Sequence, residues 1–383
     1  MNILFLGNKG DFHVDAWTKY FIKNNSVHLF SENSSLLKNR SFKGVKVHLH
    51  NGLLGLIINF FKIDSKSLLH FNKLISVKIF ANYIRTIILK ESIDIIHCHS
   101  LFYGFLSSFV KTKVPIIFTP MGSDIIIHAH KNRFYNYMAK RTFNACQIVT
   151  GDSKLIQRKG IALGASKLNN YVIQNGVDSN IFFPENNSIK KKFGLSKDDL
   201  LLFSPRAIDP LYNIDIIIDS IAILVNKKIN VKCMFSYAFG DNYLQSLKSK
   251  VEHYGILDNI IWLGYLSYEQ MAKFYNAADI IISIPKSDSS PRSVYEGMFC
   301  EKPVIVSDLE WSHEFLEKDS VYRIKTVSGE TLSSAIEKLN NNKNQSLKIS
   351  NNAKYIAKKY FEYDTNMQKM ETVMKNFIKN QQS

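Results

Sequence analysis

Short apolar, β-branched runs recur along this 383-residue chain, each separated from the next by a segment with helical spacing. Runs of that kind suit strands buried on both faces, as in a parallel sheet covered by helices on either side. In the first half Asn2–Leu6, Ser26–Ser31, Val45–Leu49, Ile93–Cys98, Val114–Thr119, Gln147–Thr150 and Tyr171–Ile173 read as strands. Helices are expected near His13–Asn24 and over Leu101–Val110. A polar Pro/Asn/Lys-rich stretch, Asn175 to Asp199, then interrupts the pattern and reads as a linker. It resumes with strands at Leu200–Ser204, Val231–Phe235, Ile260–Leu263, Ile280–Ile284 and Val304–Ser307. Helices fall between them at Asp215–Val225, Leu244–His253, Tyr268–Asn276 and Val294–Phe299, and residues 353–380 read as one long helical tail. Two such series predict an α/β chain of two doubly wound, Rossmann-like domains, in a length beyond what one core supports. The boundaries are expected at 1–180 and 185–360, with a C-terminal helix of about 361–383 packing back on the first domain.

Charge is distributed unevenly between the halves. The net charge is +16, and residues 1–190 hold 24 Lys/Arg against 10 Asp/Glu, whereas residues 191–383 hold 25 against 23. A bias in gene composition would act on both halves, so the basic first half points to an anionic partner: phospholipid, a diphosphate-linked molecule or nucleic acid. No zinc-finger, helix-turn-helix or RNP-like signature is present, which disfavours nucleic acid. Cys98, Cys146, Cys233 and Cys300 are scattered, without CxxC or Cys/His spacing, as expected of reduced thiols in a cytoplasmic protein. The opening Met1–Gly7 reads as a buried strand rather than a signal peptide. The richest apolar stretch, Asn51 to Lys90, is broken by Lys62, Asp64, Lys66, Lys73 and Lys78, short of the roughly 20 residues a spanning helix needs. Within it Phe60, Phe61, Phe71, Phe80 and Tyr83 alternate with lysines, a spacing that suits either an amphipathic helix on an anionic bilayer or a core-facing helix with a basic outer face.

In doubly wound sheets ligands bind outside the carboxyl ends of the strands. After the Ile280–Ile284 run comes Pro285-Lys286-Ser287-Asp288-Ser289-Ser290-Pro291-Arg292-Ser293-Val294-Tyr295-Glu296-Gly297-Met298. Two carboxylates, Asp288 in the loop and Glu296 about one and a half turns into a helix starting near Ser290, are eight residues apart. Six residues at about 1.5 Å each place Glu296 roughly 9 Å from that start, comparable to the span from ribose to sugar in a nucleotide sugar. The helix start, with Ser290, Arg292, Ser293 and Val294, offers amides and positive dipole to a pyrophosphate. Ser293-x-x-Glu296 is also a capping box, which is the ordinary structural reading of the same residues.

This segment resembles the glutamate–seven–glutamate motif of the family-4 retaining glycosyltransferases, in the variant that begins with aspartate. Four further stretches, in order, are similar to that family: Asp94-Ile95-Ile96-His97-Cys98-His99; Thr119-Pro120-Met121-Gly122-Ser123-Asp124; Val172-Ile173-Gln174-Asn175-Gly176-Val177-Asp178; and Ser204-Pro205-Arg206 continuing to Pro210–Asp215. The resemblance implies a GT-B fold, two facing Rossmann-like domains with a cleft between them, and a surface-polysaccharide enzyme. It implies hexosyl or N-acetylhexosaminyl transfer from a nucleotide sugar, most commonly a UDP-sugar, with retention and without a metal or other cofactor. The donor-binding residues it implies are Arg206, Tyr265, Ser290, Arg292, Ser293, Val294 and Glu296, and the catalytic ones Asp288, Asp124 and His13. Gly7 and His99 are expected on the acceptor side. The acceptor is expected to be an anionic or lipid-linked glycan, with the protein peripheral on the inner face of the plasma membrane. Three departures stand out: Asp288 for glutamate, Tyr212-Asn213 where the family has its phosphate-binding lysine, and Met121 where many relatives have histidine. A sugar-nucleotide epimerase of the same fold and a non-catalytic membrane- or anion-binding protein are the alternatives.

Overall fold

In a computed structural model of the chain the apolar runs become two parallel sheets. The structure describes residues 1–33, 42–60, 65–196, 198–236, 241–317 and 319–382. The first sheet holds β1 (Asn2–Leu6), β2 (Ser26–Glu32), β3 (Lys46–His50), β4 (Ile95–His99), β5 (Ile116–Thr119), β6 (Ile148–Gly151) and β7 (Asn170–Val172), in the order β3-β2-β1-β4-β5-β6-β7. The second holds β8 (Leu200–Ser204), β9 (Val231–Ser236), β10 (Ile260–Gly264), β11 (Ile280–Ser283), β12 (Val304–Ser307) and β13 (Tyr322–Ile324), in the order β10-β9-β8-β11-β12-β13. Both are doubly wound, and in each the strand order reverses once, between β1 and β4 and between β8 and β11. Helices cover both faces, so β4, β5, β8, β11 and β12 are buried at every position; all but β4, which carries His97, Cys98 and His99, consist almost wholly of Ile, Leu, Val and Phe.

The chain divides into two compact units, Met1–Asn175 with Asp364–Ser383, and Gly176–Tyr363. The change of unit falls at Asn175/Gly176, at the start of the polar stretch. The expected single tail helix is two, Lys343–Tyr360 and Tyr363–Gln382. Between them Phe361 turns inward to stack on Tyr295, ring centroids 3.5 Å apart, and Glu362 bridges in parallel to Val177.

The stretch from Leu53 to Lys90 is not one amphipathic helix. It divides into helices Gly55–Phe60, Lys66–Ile75 and Val77–Lys90, and the last buries Val77, Phe80, Ala81, Ile84, Ile87 and Ile88 against the sheet. Phe80 therefore belongs to the core, whereas Phe71 is exposed. Phe61 and the Phe60 side chain lie outside the described residues. Among the described residues no helix is long and apolar enough to cross a membrane.

Candidate active site

The reversal of strand order in the second unit places the ends of β8 and β11 side by side, and two polar loops leave from there. From β8 comes Arg206; from β11 come Asp288 and, after Pro291, the helix Arg292–Phe299. The Arg206 guanidinium bridges the two loops. One nitrogen donates to Asp288 Oδ2 at 2.8 Å and another to Ser293 Oγ at 2.9 Å. Its plane lies over the Tyr212 ring, 4.2 Å from the centroid. Burial works against the charge on Arg206, but Asp288 and Tyr212 outweigh it and hold the group protonated.

The helix begins at Arg292, not near Ser290, so Glu296 stands one turn inside it and not one and a half. Glu296 is buried, and its carboxylate accepts from the Tyr275 hydroxyl at 2.9 Å and faces Arg292 Nε at 3.3 Å. Burial raises its pKa, and Arg292, Tyr275 and Arg206 pull against that rise. The capping box does not form: Ser293 Oγ is taken by Arg206 and Glu296 by Tyr275 and Arg292. Arg292 in turn lies over the Tyr268 ring and donates to its hydroxyl. Two arginines thus flank the first turn of one short helix, each on an aromatic face and each beside a carboxylate. Such an arrangement can receive an anion at the helix start while the carboxylates accept from hydroxyls at its two ends.

The remaining donor-side residues fall unevenly. Ser290 Oγ shares a hydrogen bond with the Tyr295 hydroxyl at 2.7 Å. Val294 is buried, and its amide donates to Pro291 O at 3.0 Å, so that amide is not presented to a ligand. Tyr265 follows β10 and is exposed. At the place of the missing lysine, Asn213 is buried in a left-handed conformation (φ 53°) with its amide on Ile284 O at 2.8 Å, and brings no charge to the site. The sequence marks Tyr212 only as part of the departure from the family's lysine, not as a partner of Arg206, whereas Tyr268 and Tyr275, seven residues apart on the helix Tyr268–Ala277, are legible as one helical face.

In the first unit the expected residues gather near the ends of β1 and β4. Gly7 closes β1, where a Cβ would fall 2.6 Å from a Val14 methyl. His13 is half-buried in the first turn of the helix Phe12–Phe21, which Asp11 caps by accepting from the His13 amide at 2.7 Å. His99 lies inside β4 and is buried against Trp17, His97 and Phe5; neither ring nitrogen has a hydrogen-bond partner. Burial, with His13 adding to it, lowers its pKa to about 3, so the ring is neutral. Asp124, expected among the catalytic residues, is buried. Its two oxygens accept from the backbone amides of Leu101 at 2.9 Å and Met121 at 3.0 Å, bracing two loop–helix junctions. Burial, opposed by those amides, raises its pKa to about 6. Among the described residues no group of three His, Cys, Asp or Glu could hold a metal ion.

Comparison with known proteins agrees with this division. Residues 2–153 match the family described as glycosyl transferase 4-like, and residues 185–355 that described as glycosyl transferases group 1. An uncharacterized glycosyltransferase of Methanocaldococcus jannaschii, MJ1178, is 29% identical over 230 residues, which span 58% of this chain and 58% of that protein. Among solved structures, Anabaena HepE in complex with UDP and glucose superposes with a TM-score of 0.78 at 18% identity, covering 98% of this chain and 100% of that one. Sucrose-phosphate synthase from Thermosynechococcus elongatus superposes with a TM-score of 0.84 at 12% identity, over 99% and 100%. These two likenesses establish the fold.

Proposed function

The chain belongs to the glycosyltransferases of the GT-B fold, and on that premise we propose that it moves a hexosyl or N-acetylhexosaminyl group from a nucleotide sugar to a saccharide acceptor, with a UDP-sugar as donor, HepE having also been solved with UDP-glucose. The observation that carries the reading is the helix start at Arg292, with Asp288 before it, Glu296 one turn inside it and a guanidinium beside each. Glu296 accepts from ribose hydroxyls and Asp288 from sugar hydroxyls. The diphosphate meets Arg206, Arg292 and the positive end of the helix, and no metal is required. Arg292 then supplies the second cation that a lysine supplies elsewhere in the family. In the free protein Asp288 and Glu296 hold the two guanidiniums in place, so little reorganisation is needed when phosphate arrives.

Transfer proceeds with retention, the donor's phosphate oxygen helping to deprotonate the acceptor hydroxyl, so no enzyme carboxylate forms a covalent bond. His13, on the first unit, contacts the acceptor. The acceptor is an anionic, lipid-linked glycan on the inner face of the plasma membrane, in keeping with the basic first half. The relatives are named for glycosyl transfer, which favours this reading over epimerisation. The test is incubation of purified protein with UDP-, GDP- and ADP-sugars, followed by product NMR. Slow donor hydrolysis or transfer with one of them is expected; a donor that is only epimerised, or no turnover with any, contradicts the proposal.

A further inference from the structure

The first unit carries an exposed apolar and basic face that none of the proposed chemistry uses. Phe134 and Tyr137 lie three residues apart on the helix Arg133–Ala145, on one face, and are 45% and 51% exposed. Both rings rest edge-on against buried Phe105, centroids 6.4 and 6.1 Å away, so they are held outward rather than loose. Ile127, in the turn just upstream, is 40% exposed, and Asn136 ties the helix back to that turn through Ala129 O at 3.3 Å. Phe71, 54% exposed, joins the patch from the helix Lys66–Ile75, where its neighbour His70 meets the Tyr135 hydroxyl at 3.4 Å.

Around these rings the charge is of one sign. Lys131, Arg133 and Lys140 are exposed, as are His128 and His130. From residue 65 to residue 145 the chain has 11 Lys/Arg and three acidic residues, Glu91, Asp94 and Asp124, and Asp124 is buried. The patch is also anchored to the ligand-binding edge of the sheet. Lys73 of the helix Lys66–Ile75 pairs with Glu32, the last residue of β2, and the turn carrying Ile127 follows the carboxyl end of β5. Ligands of doubly wound sheets bind outside those same carboxyl ends.

We propose that Phe71, Ile127, Phe134 and Tyr137, within the ring of Lys131, Arg133 and Lys140, form a surface that docks on an anionic lipid bilayer. The rings enter the headgroup layer and the cations meet lipid phosphate, which presents the carboxyl edge of the first sheet to acceptors held in the membrane; this last step rests on the lipid-linked reading above. Bilayer is favoured over other occupants because the face combines a row of half-exposed aromatic and aliphatic groups with charge of a single sign.

Co-sedimentation of the full chain with vesicles of equimolar phosphatidylcholine and phosphatidylglycerol, against phosphatidylcholine alone, tests the surface. Binding to the anionic vesicles is expected, weakened by salt. It should fall at least about tenfold in both Phe134→Glu/Tyr137→Glu and Lys131→Glu/Arg133→Glu, with thermal midpoints unchanged. Equal binding to both vesicle types, or no loss in either double variant, overturns the proposal. A loss confined to the Lys131/Arg133 variant also overturns it, since that describes a generic polyanion surface. A wild-type dimer that the same variants dissociate assigns the face to a second copy of the chain and overturns it as well. Turnover of nucleotide sugars is read separately: vesicle binding without turnover removes the transferase reading alone, and turnover without vesicle binding removes the docking alone.

Discussion

Asp288 and Glu296 have the same chemistry and opposite surroundings. Asp288 sits at the loop edge with Arg206 on one oxygen and the Ser289 amide on the other, whereas Glu296 is sealed in by Tyr275 and Arg292. The motif made both visible in the sequence, together with Arg206. The roles of the three tyrosines do not show there, because they arise only when Tyr212 and the helix carrying Tyr268 and Tyr275 are brought onto the same two guanidiniums and one carboxylate. At Asp124 the family position suggests chemistry, and the fold adds that the carboxylate accepts from two backbone amides. Its pKa, raised from 3.8 to about 6 by burial, makes a testable difference. A carboxyl whose folded pKa lies above the unfolded one binds its proton more tightly when folded, so its contribution is complete below the unfolded value and is lost as pH rises through about 6. His99, lowered from 6.5 to about 3, contributes the opposite slope, so the informative quantity is the difference between wild type and Asp124→Asn. Urea denaturation is expected to show wild type losing roughly 3 kcal/mol relative to the variant between pH 3 and pH 7. Parallel curves would mean that Asp124 does not titrate there.

Elements were legible where burial is two-sided. β8 and β12 have the bounds their apolar runs suggest, and β1 likewise, because runs of four or five residues are too short for a buried helix and suit a covered parallel strand. β13, Tyr322–Ile324, was missed: it is a three-residue edge strand with an arginine at its centre, too short and too polar to signal itself. The break in the tail was also hidden, since helical spacing continues through Phe361 and only its stacking on Tyr295 decides the turn. That turn is fastened by Val177, whose amide donates to Phe361 O at 2.8 Å and whose carbonyl accepts from the Tyr363 amide at 3.1 Å. Gly176 makes the close approach possible, with φ at +73° and an added Cβ only 2.5 Å from Tyr363 Cα. Gly176→Ala combines a left-handed backbone with a backbone clash and is expected to cost about 1–3 kcal/mol, seen as a lowered thermal midpoint. A midpoint equal to wild type would show that this junction can relax without loss.

On the scale of the whole molecule, two units of like strand order carry unlike charge. The first half holds most of the net +16, and the second brings its charges together in pairs at one helix start. The matches to two glycosyltransferase families follow the same division. In the proposed function the second unit grips a nucleoside diphosphate, with Glu296 on its ribose. Isothermal titration of UDP into wild type and Glu296→Ala, both checked for folding by circular dichroism, measures that grip without reference to acceptor or membrane. Wild type is expected to bind and the variant to lose at least about tenfold, the worth of hydrogen bonds to a charged group. Equal affinity in the two proteins would contradict the account.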